Sequence, residues 1–424
     1  MRLGPVSRAL NRLPLASSSR VADVLRSAVW LVPAVCVAGA IGLAVVLIVV
    51  DADLRPSGGL LLFPGPPDGA RSFLSAIVQA MISFTAVVFS ITVVVLQLSS
   101  SQYSPRVLRR FMRDRLIQSS LGVFVATFAY AMVVLRAVKG GADGAGFVPR
   151  LAVTGAFALV LASVALFVAY IGHVVNMIRV ATVIANIGAD TRATLSARPA
   201  GEPAGDSEAV WAHRGTVPAP EPGVLVSVSP RRLASIAAEH DCLLRLAVRI
   251  GDYLPQGAAM FEVHGTAGTF MDDEPAGLPA WHTELRRHVA FDTERTMEQD
   301  AGFGFRQLVD IALQALSPAV NAPTTAAQVI DQLHDLLRRL VTAPQAGGHY
   351  RDEDGNIRLV VPQYSVADYL RLAVEEIWHY GRGSPQVPGR LHRMLDDLHA
   401  VARPEHRPAV EAWRSRLREP DPAS

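Results

Sequence analysis

The sequence predicts a membrane α-helical protein: four transmembrane helices, followed by a cytoplasmic α+β domain with a small β-barrel-like part and a helical part. Three observations carry that expectation. Long apolar runs recur at about 29–50, 73–98, 119–138 and 151–175, each long enough to cross a bilayer's hydrocarbon core as a helix. Beyond residue 222 the pattern changes to short alternating runs and then to amphipathic helical stripes. Charge divides in the same way. Residues 1–175 hold 15 Lys+Arg and 6 Asp+Glu, a net of +9, and residues 176–424 hold 25 and 32, a net of −7, which together give the formal +2.

Residues 1–28 read as a cytoplasmic segment with Arg2, Arg8, Arg12, Arg20 and Arg26. The first span exceeds the length of a signal h-region, and no small-residue cleavage site follows it before Asp51, so it is expected to stay uncleaved. The second span, Phe73 to Leu98, holds no charged residue and no His. It nevertheless carries Ser75, Gln79, Ser83, Ser90 and Gln97 at steps of four, four, seven and seven, which keep them on one helical face. Thr85 and Thr92 lie seven apart on another face. Polar side chains at membrane depth turn toward protein or water. The stripe therefore reads as packing between helices, as the lining of a pore built from several copies, or as hydroxyls bonded back to their own helix.

The arginines set an orientation. The segment before span one and the segment between spans two and three hold five Arg each, and Arg179 and Arg192 follow span four. The opposite loops hold Arg55, Arg71, Arg136, Lys139 and Arg150. Twelve against five predicts both termini in the cytoplasm, with 29–178 forming the transmembrane domain. The interiors of the spans lack acids and bases, which disfavours ion-coupled carriers, since these keep ionisable groups there. Span four keeps helical spacing past His173, Asn176 and Arg179, which share a face, and predicts a helix running on from the membrane.

Residues 179–222 read as that helical extension and a Pro-rich linker, 223–280 as a β-rich subdomain and 281–424 as a mainly helical one. Strands around Gly251-Asp252 and Pro255-Gln256-Gly257 resemble the hairpins of biotinyl- and lipoyl-type barrels. The modified lysine of those domains is absent here. Lys139, beside a span, is the chain's single lysine, which also excludes a Walker A or Schiff-base lysine in the soluble part. The stripe from Phe305 to Leu316 predicts a helix stopped at Pro318, and Pro323 starts another, with Asn321 or Thr324 as its cap. Asp354-Gly355 predicts a hairpin, and Ser365 with Asp368 predicts the start of a helix that ends at Gly381.

Two segments, SSSQYSPRVLRRF after the striped span and FGFRQLVDIALQALSPAVNAPTTAAQVIDQL further on, resemble a family of bacterial predicted membrane proteins, domain of unknown function 2254. The resemblance covers the order of elements from span one to about residue 400. It implies four spans followed by a cytoplasmic domain, with no established activity; the membrane expected is a bacterial inner membrane.

Candidate sites follow from the residues alone. Arg306 and Asp310 form an i,i+4 pair, and Ser317, Asn321, Thr324 and Thr325 surround a helix corner, which reads as a small-ligand site or as a structural corner. Glu375 or Glu376 with His379, Glu284 with His288, and the run His240-Asp241-Cys242 offer isolated pairs and neighbours rather than a metal or catalytic set. No cofactor is expected. The partners expected are the lipid bilayer and further copies of this chain. The acidic soluble part disfavours nucleic acid, and the sequence does not name a protein or small-molecule partner.

Overall fold

Apolar runs with no Pro or charge at their centres can satisfy every backbone group within one helix, and four such helices form the first unit. A computed structural model describes residues 31–54, 63–102, 114–139, 147–197, 212–265, 280–344 and 347–419. The chain divides into two compact units, Met1–Ile178 and Arg179–Ser424. The N-terminal segment, Arg106, Arg109, Arg110, Arg113 and most of the Pro-rich linker lie outside the described residues.

In the first unit, α1 (Leu31–Leu54), α2 (Pro67–Gln102), α3 (Arg115–Ala137) and α4 (Arg150–Ile178) are each long and apolar enough to cross a membrane. Helix α3 is central: 44% of its apolar window is buried, against 17%, 17% and 22% for the others. Phe124 and Tyr130 from α3 and Tyr170 from α4 are fully buried and fill the bundle. Hydrogen bonds tie the helices together. Thr127 Oγ1 and Ser163 Oγ meet at 3.0 Å, Thr92 Oγ1 and Tyr170 Oη at 3.0 Å, and Tyr130 Oη donates to Ala152 O at 2.8 Å. Gly122 and Gly155 admit close approach, the first to Pro33 and Cys36 and the second to the Tyr130 hydroxyl.

Asp51 departs from the sequence expectation. Helix α1 runs past Val50, so this acid falls inside the helix and is 3% exposed. Its two carboxylate oxygens accept the amides of Leu151 and Ala152, both at 3.0 Å. Those amides belong to the first turn of α4, where the helix has no carbonyl of its own to offer them. The acid is thus a cap supplied from 100 residues away. Asp51→Ala is expected to lower the unfolding temperature of the detergent-purified protein, at a cost of about 1–3 kcal/mol for orphaned buried donors. Asp51→Asn, which keeps an acceptor oxygen, should cost less. Equal unfolding temperatures for all three proteins would remove the capping role.

At the other end, Asp114 is the N-cap of α3, with Oδ1 accepting from Leu116 N and Ile117 N. Its second oxygen meets His173 Nε2 at 2.9 Å. His173 is therefore bonded within the bundle, while Asn176 and Arg179 are exposed. The helix expected to run on is interrupted at Arg179, and α5 (Val180–Ala197) follows as part of the second unit.

The second unit mixes two open sheets with helices. Strands β1 (Ala212–Pro218), β5 (Ala259–Gly265), β3 (Cys242–Leu246), β8 (Ile357–Val360) and β7 (His349–Arg351) form one sheet in that order. Strands β4 (Tyr253–Leu254), β2 (Gly223–Val228) and β6 (Val289–Asp292) form the other. Neighbours are antiparallel except β3 and β8, which are parallel. The barrel-like expectation is corrected here: neither sheet closes on itself. Gly251 and Gly257 do make the expected turns, at φ +99° and +82°. The strands they separate, however, pair across two different sheets.

Two boundaries expected from the sequence shift for the same reason. Strand β1 lies inside the segment read as linker, because its partner β5 is what makes it a strand. Strands β6, β7 and β8, from the part read as mainly helical, complete both sheets, with β7 and β8 as the hairpin expected at Asp354-Gly355. A shared core of Leu225, Leu233, Leu244, Phe261 and Leu359 joins them to α6 (Pro230–Glu239). After α7 (Ala280–Arg287) and β6 come α8 (Ala301–Leu316) and α9 (Pro323–Thr342). They pack with α5, α10 (Val366–Gly381) and α11 (Val387–Val401), and α12 (Arg407–Arg418) packs on α10 and α11. Ser365 and Asp368 form the expected reciprocal cap of α10.

Candidate functional site

Helix α2 turns one face into the bundle. Ala70, Leu74, Ile77, Met81 and Val88 are its buried residues. At 100° per residue their mean direction lies about 180° from that of the polar stripe. Gln79, Ser83, Ser90 and Gln97 are exposed, and Ser75, at the edge of the set, is half-buried. Ile82 and Phe89 are exposed on one flank of the stripe, and Val87 and Val94 on the other. A narrow polar line thus runs along the outside of the bundle between apolar borders. Ser83 Oγ donates to Gln79 O at 3.3 Å, so one hydroxyl is returned to its own helix.

The threonines go the other way. Thr85 Oγ1 donates to Met81 O, and Thr92 Oγ1 donates to Val88 O while meeting Tyr170 Oη. Packing within the chain therefore uses Thr92, Thr127, Ser163 and the two tyrosines rather than the Ser/Gln stripe. Sequence periodicity separates two polar faces on α2, and it has no means of telling which one faces protein. Ser163 gives no periodic signal, and Thr127 shares its face only with the buried Ser120 seven residues earlier in a mainly apolar helix.

The soluble constellation does not come together as one site. Arg306 sits on α8 with Asp310, its Nε donating to Asp310 Oδ1 at 2.7 Å. Its guanidinium also holds Glu376 of α10 through both carboxylate oxygens. That hydrogen bonding keeps the Glu376 carboxyl below its ordinary range. Arg306 is thus engaged by two acids. Ser317 lies eleven residues further along α8, roughly 16 Å at the helical rise.

The corner is built by backbone. Ser317 Oγ donates to Gln314 O, and Ala322 N donates to Ala315 O. The side-chain cap expected of Asn321 or Thr324 on α9 does not form. Instead Ala322 is the N-cap, with no side-chain cap bond and Pro323 in the first turn. Asn321 serves the turn through its φ of +44°, a left-handed conformation that Asn tolerates better than most residues. Thr324 is exposed and Thr325 half-buried.

The isolated pairs dissolve into structural roles. Glu375 pairs with Arg416 at 3.4 Å, and Glu376 is held by Arg306. His240 stacks on Trp281, Asp241 pairs with Arg358 at 2.8 Å, and burial pushes the Cys242 thiol up to about 12. Glu284 is exposed, and the His288 amide donates to Leu285 O. Among the described residues no three His, Cys, Asp or Glu side chains gather in a metal-binding group.

Helix α5, which the sequence suggests is a mere extension, is clamped into the helical layer. A Cβ at Gly304 would overlap Thr191 Oγ1, and one at Gly188 would press on Gln332. Arg192 holds Asp335 at 2.8 Å, and Thr194 Oγ1 donates to Met297 O at 2.7 Å.

Comparison with known proteins gives matches along nearly the whole chain. A family model described as predicted membrane protein, domain of unknown function 2254, matches residues 26–397. An uncharacterized protein of Mycobacterium tuberculosis and one of Mycobacterium bovis are each 34% identical over 409 residues, covering 92% of this chain and 75% of the relative. No solved structure matches.

Proposed function

Because the chain belongs to the family of predicted membrane proteins with domain of unknown function 2254, we propose that it is a homo-oligomeric, channel-like pathway whose walls are the α2 helices. The outward Ser/Gln stripe carries this reading. In hydrocarbon, an unpartnered amide such as that of Gln79 or Gln97 costs several kcal/mol. A second copy, or water held between copies, supplies the missing partners. The interior of one bundle is filled by Phe124, Tyr130 and Tyr170, so a water path belongs between protomers. Both termini lie in the cytoplasm of a bacterial inner membrane by the arginine distribution. The second unit regulates the pathway from that side.

A second reading, a membrane-anchored sensor, draws on the clamped helix α5, which follows α4 after the single residue Arg179. One experiment separates the two. The full chain, purified in detergent and reconstituted into planar bilayers, is expected to run as a defined oligomer and to pass current. A monomeric particle with silent bilayers would overturn the pathway and leave the sensor.

A further inference from the structure

The second unit contains a pocket of about 200 Å³ between the C-terminal end of α5, the end of β2 and the segment after β8. Its floor is apolar, with Val228 and Val361 buried and Ile250 half-buried. Each glutamine amide in the lining has one of its two N–H groups already placed. Gln299 gives Nε2 to Val228 O and takes Val228 N on Oε1, both at 3.1 Å. Gln363 Nε2 donates to Val361 O at 3.3 Å, and Thr194 Oγ1 donates to Met297 O. Acceptors are left: Gln363 Oε1, the lone pairs of Thr194, and the carboxylate of Glu298. Glu298 is exposed and has no ion pair among the described residues.

From this lining we infer that the pocket binds a small organic ammonium ion, its charged end on Glu298 and its short apolar chain against Val228, Ile250 and Val361. An anion would meet the carboxylate with no Lys or Arg in the lining to offset it, and a neutral alcohol would leave that charge unused. The volume is below the roughly 300–1,000 Å³ of sites for drug-sized ligands, so the ligand is a short-chain amine. Thr194 and Ala197 place α5 in the pocket wall, and occupancy would therefore be felt by the helix that follows the fourth span. The inference goes beyond the pathway reading and does not depend on it.

The test uses the full chain in detergent with n-butylammonium as probe and butyrate as the anionic control. Calorimetric titration should show saturable binding of n-butylammonium, with a raised unfolding temperature, and no binding of butyrate. Glu298→Gln should weaken that binding at least about tenfold. Because Glu298 is exposed, the unliganded variant should unfold at the parent temperature. Ala197→Leu, which fills the wall of the pocket, should weaken binding in the same way. No saturable signal, equal binding of butyrate, or undiminished binding by Glu298→Gln would overturn the assignment. Silent bilayers would leave it standing.

Discussion

Cysteines placed at Ser83 and Ser90, in a chain whose Cys36 has been replaced by Ala, are expected to report a neighbouring copy. In a water-filled pathway they react with small water-soluble thiol reagents, because the thiolate that reacts exists only where water reaches it. In a dry interface they are silent to the reagent and form disulfides between chains under oxidation. Cysteines at Ile82 and Phe89, exposed on the apolar flank, and at Val88, 1% exposed inside the bundle, should do neither. Gln97→Glu should then shift conductance toward cations, since a ring of acids at the end of a pore attracts them. Ser83→Leu should weaken the assembly by about 1–2 kcal/mol for each hydrogen bond between helices that it abolishes. Stripe cysteines inert to both treatments would mean that the stripe faces lipid, and the oligomer proposal would fall.

Gly304→Ala is expected to destabilise the second unit although the change normally favours a helix. In an exposed helix interior, replacing Gly by Ala gains about 0.8–1 kcal/mol. Here the new Cβ would lie 2.9 Å from Thr191 Cβ and would overlap Thr191 Oγ1. Thr191 is fully buried, and its hydroxyl is tied to Ile187 O. Neither residue has room to give way. Overpacking of that kind costs about 1–3 kcal/mol and outweighs the propensity gain. Gly304→Val should be worse. Adding Thr191→Ala removes the hydroxyl and one methyl from the collision, and should recover part of the stability in a double-mutant cycle. Thermal unfolding of the parent and these variants reads the result. Gly304→Ala more stable than the parent would show that α5 can slide on α8, and the clamp would be discarded.

Much of the organisation is legible in the chain before any tertiary information. The four spans are visible because crossing hydrocarbon demands about twenty apolar residues in one run, and the helices fall within a few residues of those runs. The α10 cap and the Asp354-Gly355 hairpin are legible because each is completed within a few residues, by Ser365 with Asp368 and by Gly355 at φ +84°. The candidate sites are less so. The stripe is visible as a period, while the split of the soluble constellation is not, because the second acid that engages Arg306 lies 70 residues away on α10.

What depends on neighbours within about a turn can be read along the chain: span lengths, the Pro323 start of α9, turn positions, and the two polar faces of α2. Tertiary contact settles which surfaces meet. It turned the threonines of α2 inward and the Ser/Gln stripe outward. It drew Asp51 onto the start of α4, and it paired β3 with the distant β8 in a sheet that stays open. The physical reason is that backbone geometry fixes a residue's direction on its own element, whereas burial and pairing depend on which distant element arrives opposite it.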